Sequence, residues 1–143
     1  MSNLNELYQQ VILDHNKSPK NYGQLPPPCW SAEGHNPLCG DHLDVYLTIE
    51  EGIIKDLKFE GDGCAISKAS ASIMTTVLKG KPVEAVNEYL EMFQDLVTSD
   101  QPDKNNEKKL GKMTIFRGVH EFPTRIKCAT LAWHTVNNAI ESS

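Results

Sequence analysis

Three cysteines and one carboxylate have the types and settings to converge on a single metal ion. They are Cys39 and Asp41 in Asn36-Pro37-Leu38-Cys39-Gly40-Asp41, Cys64 after Gly61-Asp62-Gly63, and Cys128 after Pro123-Thr124-Arg125. Cys39 and Asp41 are two residues apart, so an extended 36–41 segment sends both side chains off one face of the backbone. Gly40 leaves room between them. Cys64 is expected at the start of one helix and Cys128 in the first turn of another, and a helix N-terminus favours thiolate over thiol. A thiolate is both a metal ligand and a nucleophile, so this set suits zinc, an iron–sulfur cluster or the carriage of sulfur. Three thiols leave one tetrahedral position, for which Asp41 is favoured. His35, His42, His120 and His134 are rivals, although an extended segment turns His42 away from Asp41 and His134 lies more than a turn beyond Cys128. A lone histidine is more often a surface or hydrogen-bonded residue than a ligand, yet His35 and His120 stay open.

The elements that must position these residues are read from hydrophobic spacing. Leu43, Val45, Leu47 and Ile49 alternate with polar residues, and Ile53, Leu57 and Phe59 resume after Glu50-Glu51-Gly52, which predicts an antiparallel hairpin over about 43–60 with one buried face. Asp41 and Cys39 precede its first strand and Cys64 follows its second, so the hairpin brings them together by local topology. Ile66, Ala69, Ser70, Ile73, Met74 and Val77 predict a helix from Cys64 to Lys79, closed by Gly80. A helix from Leu4 ends before Ser18-Pro19, with Ser2 or Asn3 as its cap, and another runs from Val83 to Leu96. Cys29 to Glu33 reads as a short edge strand, the polar stretch Ser99 to Lys112 as a mobile loop, and Met113 to Glu121 fits neither period clearly. In the last helix Cys128, Leu131, Ala132, Thr135, Val136, Ala139 and Ile140 form one stripe, which points Cys128 inward. The fold class expected is α+β, a small antiparallel sheet packed against several helices, in a single domain over 1–143.

Composition bounds the partners. The 143 residues carry a formal net charge of -5, with 39% hydrophobic and 23% charged residues, and the sequence pI is about 5.5. Nothing here supplies the basic face that phosphate binding needs, so no nucleic-acid partner is expected. No apolar run approaches the length of a membrane span, and Met1-Ser2-Asn3-Leu4-Asn5-Glu6 lacks the regions of a signal peptide, so the expected setting is the cytoplasm with no membrane partner. There thiols stay reduced, and Cys29, outside the constellation, reads as a partly buried free thiol.

The motifs Asn36-Pro37-x-Cys39-Gly40-Asp41, Gly61-x-Gly63-Cys64-x-Ile66-Ser67 and Arg125-Ile126-Lys127-Cys128-Ala129, with Asp14-His15 and Asn21-x-Gly23 before them, resemble the NifU N-terminal, IscU and SufU family of iron–sulfur cluster biogenesis. The resemblance covers nearly the whole chain and implies the same α+β fold. IscU-type scaffolds carry a histidine immediately before the third cysteine, where this chain has Lys127, and lack the extra segment seen here between about Val97 and Phe122; both features are similar to SufU.

That branch implies zinc held by Cys39, Asp41, Cys64 and Cys128, and sulfur accepted from a pyridoxal-phosphate cysteine desulfurase of the SufS type. Downstream iron–sulfur assembly proteins would be the further partners. The expected activity is therefore a zinc-dependent sulfurtransferase, with a scaffold for a [2Fe-2S] cluster as the alternative. Zinc has no redox chemistry and keeps its thiols deprotonated at neutral pH, but a bound thiolate is a dulled nucleophile. Cys39, on a Gly-flanked loop, is the ligand expected to leave and accept sulfur. Arg125 is the expected accessory cation, offsetting the negative charge of the ligands or steering a persulfide.

Overall fold

The computed structural model describes residues 2–37, 40–99, 103–121 and 123–141, with side chains from residue 9 onward apart from those of His120 and Glu121. Its sheet is a meander of three antiparallel strands, β1 (Trp30–Asn36), β2 (Asp41–Glu50) and β3 (Ile53–Asp62), in the order β1-β2-β3. Strict alternation puts Leu43, Val45 and Leu47 of β2 and Leu57 and Phe59 of β3 wholly out of solvent on one face, while His42, Asp44, Tyr46, Lys58 and Glu60 lie on the other. The predicted hairpin over about 43–60 is present and two residues longer at each end. The expected edge strand after Cys29 extends to Asn36 and pairs along its whole length with β2, from Trp30↔Leu47 to Asn36↔Asp41.

That pairing corrects one expectation. Residues 36–41 do not run extended: Asn36 and Asp41 face each other across two strands, Pro37 lies in the turn, and Gly40, at φ +72°, donates its N–H to Asn36 O at 2.8 Å. Proline pre-sets one turn angle and glycine takes the left-handed one, so the chain reverses here. Cys39 and Leu38 lie outside the described residues, and so do the Ser2 or Asn3 cap and the apolar side chains of Leu4, Leu7 and Tyr8.

Five α-helices accompany the sheet among the described residues: α1 (Ser2–Lys17), α2 (Ala65–Leu78), α3 (Val86–Thr98), α4 (Glu107–Leu110) and α5 (Pro123–Glu141). Helix α5 lies across β1 and β2, while α2 packs on β3 and against both α1 and α5. The small residues of α2 allow this crowding, and its buried hydroxyls are used: Ser70 Oγ donates to Ala129 O of α5 at 2.5 Å, and Ser72 Oγ meets both Lys20 N–H and His15 Nδ1 at 2.7 Å. Phe93 of α3 stacks on Trp133 of α5 and meets Phe116 edge-on, with centroids 5.3 and 6.0 Å apart.

The outer edge of β3 is occupied at both ends. Gly23 N–H donates to Phe59 O and Phe59 N–H to Asn21 O, while Ile54 N–H donates to Lys81 O and Gly80 N–H to Ile54 O.

The stretch expected as a polar loop is partly ordered into structure. Asp103 caps a 3-10 turn over Lys104–Asn106 by accepting from Asn105 N–H at 2.9 Å; α4 follows and buries Leu110. Gly111–Glu121, ambiguous in sequence, is a 3-10 helix that buries Met113, Phe116 and Val119.

Candidate metal centre

Asp41 is the first residue of β2 and is wholly buried, because the inward face of the strand begins with it. Its Oδ1 accepts the backbone N–H of Cys64 at 2.8 Å, which ties the start of β2 to the start of α2. Two glycines make this approach possible. A Cβ on Gly63 would stand 2.6 Å from Asp41 Oδ1, and a Cβ on Gly61, whose φ is +141°, would stand 2.0 Å from His42 O. The Gly-Asp-Gly-Cys run is thus a passage in which the chain leaves β3 pressed against the first residues of β2.

Cys64 is the N-cap of α2, and its Sγ accepts Ser67 N–H at 3.4 Å. The sulfur takes the part that serine or aspartate oxygen plays at other helix starts and faces the positive end of the helix dipole. Cys128 lies in the second turn of α5, one turn later than expected, and is 2% exposed. Asn36 Nδ2 points its N–H at Cys128 Sγ from 3.9 Å.

These elements bring three of the four expected ligands together: one ligand atom from each of Asp41, Cys64 and Cys128 lies within 4.8 Å of the others. A tetrahedral zinc with bonds of about 2.3 Å to sulfur and about 2.0 Å to oxygen has ligand edges of roughly 3.5–3.8 Å, so a slight contraction closes the set. The group also has an open valence, because Asp41 Oδ2 is buried with no hydrogen-bond partner among the described residues. A buried carboxylate oxygen left unpaired costs free energy that a cation removes. Two thiols and this carboxylate therefore fit a zinc ion; they also fit an iron site, since both metals take thiolate and oxygen donors.

Around the group, a groove of 590 Å³ is lined by Gln9, Ile12 and Leu13 of α1, the start of α2, and Thr124, Arg125 and Cys128 of α5. Arg125 is exposed and lines this groove together with Cys64 and Cys128. Lys127 lines a separate 330 Å³ cavity with His35, Asn36 and His134. The rival histidines do not join the described ligands: His42 and His35 stand on the solvent face of the sheet, and His134 pairs with Gln94 at 3.2 Å. The side chain of His120 is outside the described residues. Cys29 is half-buried, with its thiol 3.7 Å from Leu25 O. Asn36 and Gly63 stand inside the sequence motifs with no role evident from the sequence. The signal for both was their place beside a ligand.

Residues 7–141 match the NifU-like N terminal domain. The chain belongs to this family. NifU-type relatives span both expected kinds of protein. A zinc-dependent sulfurtransferase SufU of Bacillus subtilis is 40% identical over 97% of this chain and 92% of its own length. An iron-sulfur cluster assembly scaffold protein IscU of Streptococcus pyogenes is 38% identical over 100% of this chain and 88% of its own. A structure of a putative iron-sulfur cluster assembly scaffold protein for the SUF system, from Fervidobacterium islandicum, superposes with a TM-score of 0.84 at 33% identity, covering 92% of this chain and 94% of that one. The α+β fold is thus that of the SufU and NifU N-terminal proteins, and the chain is a member of the iron–sulfur cluster assembly family.

Proposed function

We propose that this chain is a zinc-dependent sulfur-transfer protein that takes persulfide sulfur from a pyridoxal-phosphate cysteine desulfurase of the SufS type and passes it to iron–sulfur assembly. The observation that carries the reading is the convergence of Asp41, Cys64 and Cys128, with Asp41 Oδ2 buried and without a hydrogen-bond partner among the described residues. Lys127 in place of a histidine before Cys128 and the name of the Bacillus subtilis relative support zinc over a cluster.

In this reading Asp41, Cys64, Cys128 and Cys39 would hold the zinc, which when bound would keep its thiol ligands deprotonated at neutral pH. The chemistry of transfer belongs to Cys39. Its thiolate attacks the outer sulfur of the desulfurase persulfide; the S–S bond to the desulfurase cysteine breaks as a new one to Cys39 Sγ forms, and the desulfurase cysteine departs as thiolate. One sulfane sulfur changes owner with no net oxidation. Asp41 is held by Cys64 N–H, and Cys64 by the α2 N-terminus, so these two remain fixed while Cys39, next to the turn glycine Gly40, does the work. Arg125, exposed on the groove, attracts the persulfide anion.

The test separates transfer from metal holding. Cys39→Ala is expected to abolish stimulation of the desulfurase and the added mass of one sulfur atom while retaining much of the zinc, since two thiolates, Asp41 and a water complete a tetrahedron. Cys64→Ala and Cys128→Ala lose metal and stability together. Full activity in Cys39→Ala, with sulfur found on Cys64, Cys128 or Cys29, rejects the assignment. The second reading, a scaffold on which a [2Fe-2S] cluster is assembled and handed on, is favoured by the IscU relatives. Iron and sulfide with negligible zinc in anaerobically purified protein would establish it instead.

A further inference from the structure

The solvent face of the sheet carries a second group of donors with a different chemistry. Strand register puts Glu33, Asp44 and Glu60 in one row across all three strands, and His35, His42 and Asp62 in the next. Like charges directly opposite one another in a sheet repel, so a row of three carboxylates calls for cations. Glu60 is answered by Tyr46 OH at 3.0 Å and Gln24 Nε2 at 2.6 Å. Among the described residues no lysine or arginine pairs with Glu33 or Asp44; their one basic neighbour is His42.

His42 Nε2 stands 3.5 Å from Glu33 Oε1 and 3.6 Å from Asp44 Oδ1. These separations are at or past the limit of a hydrogen bond. They are close to the edge of about 3.3 Å between two ligands of a tetrahedral ion bound at about 2.0–2.1 Å. All three donor atoms lie within 4.8 Å of one another. The His35 ring, centred 6.0 Å from that of His42, leaves a further nitrogen donor on the same face.

We propose that Glu33, His42 and Asp44 form a second metal site, which takes a divalent first-row transition ion through nitrogen and oxygen donors and no sulfur. Imidazole with carboxylates suits zinc, cobalt, nickel or ferrous iron, and disfavours the soft ions that thiolates select. The site is independent of the thiolate group, because alternation along β2 buries Asp41 and turns His42, its neighbour, to solvent. It is half-exposed, so an ion enters without opening the fold and keeps water in its remaining positions.

The probe is Co2+, titrated anaerobically into the zinc-loaded full chain and followed by calorimetry, absorption and NMR. Expected is one further equivalent of cobalt with weak ligand-field bands, no sulfur-to-cobalt charge transfer, and paramagnetic shifts of the His42 ring protons in the unmodified protein. His42→Gln, and separately Glu33→Gln with Asp44→Asn, weaken that equivalent by about tenfold or more and leave the zinc content unchanged. A titration with no further equivalent overturns the proposal. So does cobalt that binds with thiolate charge transfer alone, leaves the His42 ring unshifted, or binds both variants as tightly as the native chain; His42 is then only an ion-pairing residue of the sheet face.

Discussion

Gly63→Ala tests the reasoning about the thiolate group without touching a ligand. The new Cβ would stand 2.6 Å from Asp41 Oδ1, and ordinary contact begins at 3.4 Å, so the carboxylate must retreat by about 0.8 Å. Asp41 is wholly buried, and a retreat of that size opens its 2.8 Å bond from Cys64 N–H beyond hydrogen-bonding range. Losing a hydrogen bond to a buried carboxylate costs about 1.5–3 kcal/mol. Alanine also stiffens the unfolded chain, which offsets about 0.4–1 kcal/mol. The net expectation is a destabilisation of about 0.5–2.5 kcal/mol in denaturant unfolding. A displaced Asp41 also weakens zinc by about tenfold or more, read by chelator competition. Gly118→Ala is the control, since its Cβ meets nothing within 4 Å; its stability stays within about 0.5 kcal/mol of native. Gly63→Ala with the native unfolding midpoint and zinc affinity within about twofold of native would refute the claim that this glycine exists to seat Asp41.

Two further expectations concern the frame around the site. Gly34→Ala on β1 drives a Cβ to 2.0 Å from Thr135 Oγ1 on α5, an overpacking that costs about 1–3 kcal/mol; adding Thr135→Ala, which removes a hydroxyl that donates to Leu131 O of its own helix, recovers at least about half of the loss. Additive unfolding energies in that double-variant cycle would contradict it. Burial first, then Lys112 and Lys20, hold the His15 imidazole below its usual range, against a smaller opposing pull from Asp14. The folded state therefore takes up its proton less readily than the unfolded chain, so the stability from neutral His15 is complete above pH 6.5 and is lost as pH falls from there through the depressed folded value. His15→Gln flattens stability against pH over that window, and an unchanged slope excludes the residue as the source.

Elements with a regular hydrophobic period are the ones legible in the sequence. Alternation through Leu43 to Phe59 and the apolar stripe of α2 were legible because each buries one face against a large partner. Residues 36–41 read as extended because two residues of spacing between Cys39 and Asp41 suits an extended chain, while the turn pair Pro37 and Gly40 in the same six residues reverses its direction. Leu110, Met113, Phe116 and Val119 recur every third residue, the period of a 3-10 helix, and all four are buried. A search for periods near 3.6 and 2 passes over them. The closeness of Cys64 to Asp41 was readable from hairpin topology. That of Cys128 was not, because it depends on how α5 crosses β1 and β2.

A sheet of three strands has two borders at which another strand could be added, and borders left bare are where copies of a protein stick together. In this chain the border along β3 is sealed at one end by residues 21–23 and at the other by residues 80–82. Among the described residues no such seal runs along β1, whose exposed positions Ser31, Glu33 and His35 are polar or charged. Protection against self-assembly is thus divided between covering one border and charging the other. Exchanging Glu33 for a neutral β-branched residue removes charge from the uncovered border, and its cost would appear as lost solubility during refolding before it appeared as lost stability.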